Sequence, residues 1–158
     1  MPKTESKGKT DELRLVNFRL DDKEYAVDIR KIVEIIYYRA ATPLPQSPAF
    51  IEGVVDLRGT VIPVLDLKKR LQLPSTAKNR PNHILIVRLQ GKTVGVVVDE
   101  VRQVIQVGLD QIQSPQKTVR GTGSKYLQGV CKLNDHLIFI LSIDTLLSGD
   151  EQAQLEEI

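Results

Sequence analysis

The chain has 158 residues, enough for one domain or two very small ones. A hydrophobic content of 41% with 27% charged residues excludes a disordered chain, and an aromatic content of only 4% means the core is built from Val, Ile and Leu. The 22 basic and 20 acidic residues are interspersed, so the net charge of +2 supplies no concentrated footprint for nucleic acid, and Lys68-Lys69-Arg70 reads as solvated surface.

Met1 to Glu12 is polar and reads as a flexible tail; it has no apolar stretch of the signal-peptide kind. Nor does any apolar run reach the ~20 residues that span a bilayer. From Leu13 to Leu20 the apolar residues largely alternate, as in a half-buried strand. A turn at Asp21–Glu24 leads to a strand from Tyr25, Asp28–Lys31 reads as one helical turn, and β-branched Ile32–Tyr38 as another strand. The prolines at 43, 45 and 48 enforce an extended loop. Gly53–Leu57 and Thr60–Leu67 form a hairpin turning at Arg58-Gly59. Pro63 within it cannot donate to a ladder, which implies an edge position or a bulge.

A short helix is expected at Asp66–Leu71 and a connector at Leu73–Asn82. Strands follow at Ile84–Leu89, Thr93–Asp99 and Val101–Val107, then a long polar segment at Asp110–Tyr126. Strands at Leu127–Leu133 and Leu137–Ile143 precede a C-terminal helix from Asp150 to Ile158, capped near Ser148 or Asp150.

The chain also repeats itself. Shifted by 69 positions, Arg19-Leu20 falls on Arg88-Leu89, Lys23 on Lys92 and Val27 on Val96. Shifted by 76, Gly53-Val54 falls on Gly129-Val130, Leu57 on Leu133 and Ile62 on Ile138. Two copies of one β-unit account for this. Units this small bury little surface alone, so they must pack together, and the groove between them is a natural partner site.

Catalytic constellations are not evident. Cys131 and His136 sit across a predicted hairpin, where a core thiol and a turn imidazole are the simpler reading. A single cysteine cannot form a disulfide within the chain, which fits a reducing cytoplasm. The two histidines show no metal-ligand spacing, and Arg120–Lys125 lacks the spacing of a phosphate-binding loop. No enzyme, metal or cofactor is expected. One charged pair stands out. Glu34 lies between Ile32 and Ile36 on its face of a strand, so it either pairs, with Arg58 as the plausible partner, or faces water.

The run Gly53-Val54-Val55-Asp56-Leu57-Arg58-Gly59-Thr60-Val61-Ile62-Pro63-Val64-Leu65-Asp66-Leu67 resembles the signature of the CheW family of chemotaxis coupling proteins. Tyr25–Ile29, Val33–Ile35, Pro48–Gly53, Val94–Val101, Leu127–Val130 and Leu137–Leu141 extend the resemblance, which covers Leu13 to Leu147. It implies an all-β fold of two small SH3-like five-stranded β-barrel subdomains around a shared core, at roughly 13–75 and 82–147, with possible exchange of terminal strands. It further implies a non-catalytic cytoplasmic adaptor. Its partners would be the regulatory domain of the histidine kinase CheA and the cytoplasmic tips of chemoreceptors, with no nucleic acid and no membrane insertion.

By resemblance, Glu34 and Arg58 form a structural and signalling salt bridge. Receptor contact would fall on Ile32, Gly53, Val55, Val96, Val97 and Val98, and kinase contact on Ile36, Val61 and Val64. Asp56 stands where many members have Asn, and it would compete with Glu34 for Arg58. Two alternatives stay open at this point: an adaptor of a non-flagellar chemosensory pathway such as twitching motility, and a nucleic-acid-binding β-barrel. The latter needs aromatics stacked on a basic face.

Overall fold

The computed structural model describes residues 12–73, 80–115 and 125–156. Its strands in chain order are β1 (Glu12–Leu20), β2 (Lys23–Asp28), β3 (Ile32–Tyr37), β4 (Ile51–Leu57), β5 (Thr60–Asp66), β6 (His83–Leu89), β7 (Lys92–Val98), β8 (Glu100–Gly108), β9 (Ile112–Gln113), β10 (Leu127–Leu133) and β11 (His136–Leu141). Among the described residues, helices α1 (Leu67–Arg70) and α2 (Gly149–Glu156) are accompanied by single helical turns at Ile29–Lys31, Leu109–Gln111 and Ile143–Thr145. The expected tail lies, apart from Glu12, outside the described residues, as do most of the connector after Leu73 and residues 157–158.

The strands form a six-stranded sheet, β8-β1-β2-β11-β10-β9, and a five-stranded sheet, β3-β6-β7-β5-β4. Sheet membership crosses the sequence: each half of the chain lends its first hairpin to the sheet of the other half. Linker length explains why. In the five-stranded sheet β3 runs antiparallel to β6, and β6 to β7, so β3 is parallel to β7. Were β1–β2 to fill that place, β2 would lie parallel to β3 with only Ile29–Lys31 between them. Parallel strands in one sheet, here with β1 between them, need a crossover of about a dozen residues. The hairpin therefore leaves for the other sheet, where β2 pairs in parallel with β11 through Ile138, Phe139 and Ile140. β7 and β8, joined by Asp99 alone, are separated for the same reason, and β7 pairs in parallel with β5.

The repeat is thus structural. The β4–β5 and β10–β11 ladders both slip by one residue at equivalent places, between Ile51 and Gly53 and between Leu127 and Gly129. The isolated bridge between Thr42 and Val54 has its counterpart in the pairing of Gln113 with Val130. Glycine is required at 53 and 129 by these bridges. A Cβ on Gly53 would stand 2.0 Å from the Thr42 carbonyl oxygen, and one on Gly129 would stand 2.4 Å from Ile112 Cγ2.

Burial on both faces explains the unbroken apolar runs of the exchanged hairpins. Phe18, Leu20, Tyr25 and Val27 meet Leu85, Val87, Val94, Val96 and Val98 in a core shared by the two sheets. The intervening residues turn the other way. Leu15 and Ala26 join Cys131, Ile138 and Ile140 behind one sheet, while Ile84, Ile86 and Val97 join Val55, Ile62 and Val64 behind the other.

Two expectations need correction. β5 is internal, and the ladder irregularity opposite it falls at Ile51/Gly53, not at Pro63. Pro63 is tolerated because pairing with β7 starts only at Val64, which leaves no ladder acceptor unserved on that side. The long polar segment from Asp110, to which no strand is assigned from the sequence, includes β9, too short to show a period. Elsewhere local chemistry gave the boundaries. The Asp28 side chain accepts from Arg30 N–H and the Asp66 side chain from Lys69 N–H. Ser148 caps α2 through a reciprocal pair, with Glu151 N–H donating to Ser148 Oγ and Ser148 N–H to Glu151 Oε1.

Candidate protein-docking site

β3 is an edge strand, and its two faces differ. Ile32, Glu34 and Ile36 are half-buried, whereas Val33, Ile35 and Tyr37 are exposed. An edge strand that shows apolar side chains is a pairing or docking surface unless something covers it. Its counterpart in the repeat, β8, carries Arg102 in place of Val33 and Gln106 in place of Tyr37 and keeps only Val104 apolar and exposed on that face, so the continuous apolar face belongs to β3. Tyr37 is 77% exposed, with its ring stacked on His83 at 5.4 Å.

The Arg58 guanidinium reaches this strand and pairs with Glu34. The hairpin turn makes that reach possible. Arg58 and Gly59 both have positive φ, 50° and 88°, as a two-residue turn of the type that matches strand twist requires. Gly59 supplies that conformation freely, and Arg58 adopts it as Gln90 does ahead of Gly91 in the β6–β7 turn. Asp56 stabilises the turn, its Oδ1 accepting from Gly59 N–H at 2.8 Å. The expected competition of Asp56 for Arg58 does not occur, because that carboxylate is engaged with the turn backbone. Hydrogen bonding to Glu34 holds the Arg58 guanidinium above its ordinary pKa. Arg39 braces the hairpin from β3's far end, donating to the Asp56 carbonyl at 2.7 Å. Between these groups lies an open cavity of about 430 Å³ lined by Ile36, Tyr37, Tyr38, Arg39, Leu57 and Arg58.

Of the residues expected at a receptor groove, Val96 and Val98 lie in the shared core and Val55 and Val97 in the core behind the five-stranded sheet. Gly53 is buried against Thr42 and Ile32 is half-buried. All of these but the half-buried Ile32 lie beneath the surface, because strands sandwiched between two cores hide both faces. Of the three expected kinase contacts, Val61 is 57% exposed beside the Arg58 turn, Ile36 is half-buried and Val64 is buried. Sequence reading missed Val33, Ile35 and Tyr37. The signal in the sequence is the run of apolar residues on both faces of Ile32–Tyr37; that one face stays uncovered follows only from the edge position.

Cys131 is buried in the core behind the six-stranded sheet, where burial pushes its thiol up. His136 is exposed and stands 3.2 Å from Glu24. Among the described residues, none cluster as metal ligands, and no helix is long and apolar enough to cross a membrane. Of the segment read against phosphate-binding loops, only Lys125 is described.

The geometry defines a duplicated β scaffold with an exposed apolar edge strand beside a charged hairpin. A CheW-like domain matches residues 14–151. Among curated relatives, the Chemotaxis protein CheW of Treponema pallidum is 29% identical over 152 residues, covering 94% of this chain and 89% of that protein. The Chemotaxis protein CheW of Bacillus subtilis is 32% identical, covering 87% and 88%. Protein FrzA of Myxococcus xanthus is 33% identical, covering 85% of each. The crystal structure of scaffolding protein TtCheW from Thermoanaerobacter tengcongensis superposes with a TM-score of 0.80 at 32% identity, covering 88% of this chain and 90% of that one. The chain belongs to the CheW-like family, and as such it is an adaptor of the scaffold type.

Proposed function

We propose that this chain couples chemoreceptors to the histidine kinase CheA in a signalling array, without catalysis of its own. The observation that carries the reading is the match of residues 14–151 to the CheW-like domain, with the Glu34–Arg58 pair placed on the signature hairpin beside an exposed apolar strand. Two partners need two faces. The cavity at Arg39 and Arg58, with Ile36, Tyr37 and Leu57 around it, suits a receptor helix that presents apolar side chains with a carboxylate among them. Val61, exposed on the same hairpin, stays assigned to the kinase side. Val55 and Val96–Val98 then act from beneath, as the floor that fixes β3 and the hairpin, and not as contacts. We place the protein in the cytoplasm, reaching the membrane only through its receptors.

Coupling would work by differential affinity. A receptor state that binds the adaptor better shifts the kinase population, and by no more than that difference. Similarity to Protein FrzA favours a second reading, a scaffold of a non-flagellar chemosensory pathway. The deciding experiment is titration of the full chain with the regulatory domain of each CheA-type kinase from its genome, followed by receptor fragments. Saturable binding to a flagellar-cluster kinase supports the first reading. Binding confined to another cluster's kinase supports the second, and no binding to any kinase overturns both.

A further inference from the structure

Arg70, the last residue of α1, is only 11% exposed at its side chain. Its guanidinium lies 4.0 Å from the ring centre of Phe50 and 4.9 Å from that of Tyr126. It forks onto one carboxylate, Nη1 donating to Glu151 Oε2 at 3.0 Å and Nη2 to Glu151 Oε1 at 2.8 Å. An arginine held between two aromatic rings and aimed at a carboxylate is a built acidic-group receptor. Its Nε is buried without a hydrogen-bond partner among the described residues, so Glu151 leaves one donor unused.

Glu151 comes from α2, which is weakly attached otherwise. The helix has 8 residues, too few to be stable alone. Among the described residues of the helix, Leu155 is the apolar side chain that packs against the shared core, and it is only partly buried. Lys92 Nζ donates to the Gln152 carbonyl at 3.3 Å. Along its far end a cavity of about 320 Å³ separates Gln154 and Leu155 from the proline loop at Leu44–Pro48. The polar clamp at Arg70 therefore carries much of the docking.

We propose that α2 is a displaceable strap, and that the Arg70 site beneath it accepts in trans the acidic side chain of a partner helix. The occupant in place defines the chemistry of the ligand: a helix N-terminus with Ser at the cap and Glu three positions on, here Ser148 and Glu151. A partner segment of that pattern competes with α2 for the same guanidinium. A carboxylate approaching side-on would engage Nε in exchange for one Nη, and so would satisfy the buried donor that the resident leaves unpaired. The inference stands apart from the adaptor reading, since it uses neither Glu34 nor Arg58.

The test uses the full chain and its Glu151→Gln variant. Amide exchange is measured across residues 149–156, and a peptide of residues 148–156, labelled at its C-terminal end, is titrated in. In Glu151→Gln, exchange in α2 is expected to rise about tenfold while exchange in the sheets stays unchanged. The peptide is expected to bind that variant about fivefold or more tighter than the parent chain, since the resident no longer competes. Adding Arg70→Lys, which keeps the charge and loses the fork, should abolish the gain. Unchanged exchange in α2, no peptide binding to Glu151→Gln, or equal binding with Arg70→Lys overturns the proposal. A melting curve on each variant confirms that the sheets are folded.

Discussion

Lys68 on α1 and Asp144 in the turn after β11 occupy equivalent places in the two halves of the chain, 76 positions apart, and carry opposite charges. Each closes a lock onto the tip of an exchanged hairpin. Lys68 Nζ lies 2.8 Å from Asp21 Oδ1, at the β1–β2 tip, and 2.9 Å from Asp99 Oδ2. Asp144 accepts from the Gln90 N–H at the β6–β7 tip at 3.0 Å and pairs with Lys31 at 2.8 Å. The duplication preserved the geometry of the contact while inverting its charge.

The two locks differ in burial, so they should differ in strength. Lys68 and its partners are well covered, Asp99 at 6% exposure above all. Lys68→Met is expected to lower stability by about 2–4 kcal/mol, because it leaves two facing carboxylates, one of them buried, without their cation. Adding Asp99→Asn should recover part of the loss. Asp144 and Lys31 are about two-fifths exposed, so Lys31→Met should cost under about 1 kcal/mol. Urea unfolding of the three variants checks the ranking; equal losses at both locks would defeat it.

Arg58 offers a way to separate turn from guanidinium. Its positive φ makes Arg58→Ala ambiguous, since alanine tolerates that backbone no better. Arg58→Asn keeps an αL-tolerant residue ahead of Gly59 and removes the charge, as Asn134 already does in the equivalent turn. The melting temperature should hold or rise, while affinity for the receptor fragment falls about tenfold. Undiminished receptor binding would remove Arg58 from the site.

Much of this was legible in the sequence. The hairpin at Arg58-Gly59, the Ser148 cap and the two-copy repeat each rest on local chemistry or on self-similarity, which survive without a structure. The Glu34–Arg58 pair was legible because a charge on an apolar strand face demands a partner. What could not be read was which face of each strand meets which core. Val96 and Val98 belong to the shared core and Val97 to the one behind, and all three are valine. Neither the edge position of β3 nor the Arg70–Glu151 clamp leaves a periodic trace, since both come from strands and helices brought together across the fold.

The bridges at Gly53 and Gly129 predict unequal costs for the same change. Gly53→Ala places a methyl 2.0 Å from a backbone carbonyl at a φ of 146°, and neither can give way. A loss above about 3 kcal/mol is expected, enough to unfold much of the protein. Gly129→Ala meets a side-chain methyl of Ile112, which can shift with the short β9, so about 1–3 kcal/mol is expected. Thermal melts of both variants decide it, and a Gly129 variant as damaged as the Gly53 variant would show that β9 is as fixed as the Thr42 bridge.

Acid should loosen the fold in a defined order of sign. The Arg30 side chain holds the Asp28 carboxyl below its ordinary 3.8, and Lys31 does the same for Asp144. For Glu151, burial acts upward, but the Ser148 N–H and the Arg70 guanidinium outweigh it and bring the group below 4.5. A carboxyl depressed in the folded state contributes stability that is complete above its unfolded pKa and is lost as pH falls through the folded one. Glu52 works against this trend. Burial, with Asp66 nearby, raises it above 4.5, so its protonation favours the folded chain just as acidification begins. The expected profile is a stability nearly flat from pH 7 to about 5 and falling steadily below about 4. Glu151→Gln should reduce the slope below pH 4.5, because the strap no longer has a carboxylate to lose. Urea midpoints at pH 7, 5, 4 and 3 for the parent chain and that variant measure it, and parallel curves would mean that the Arg70 clamp contributes nothing to the acid response.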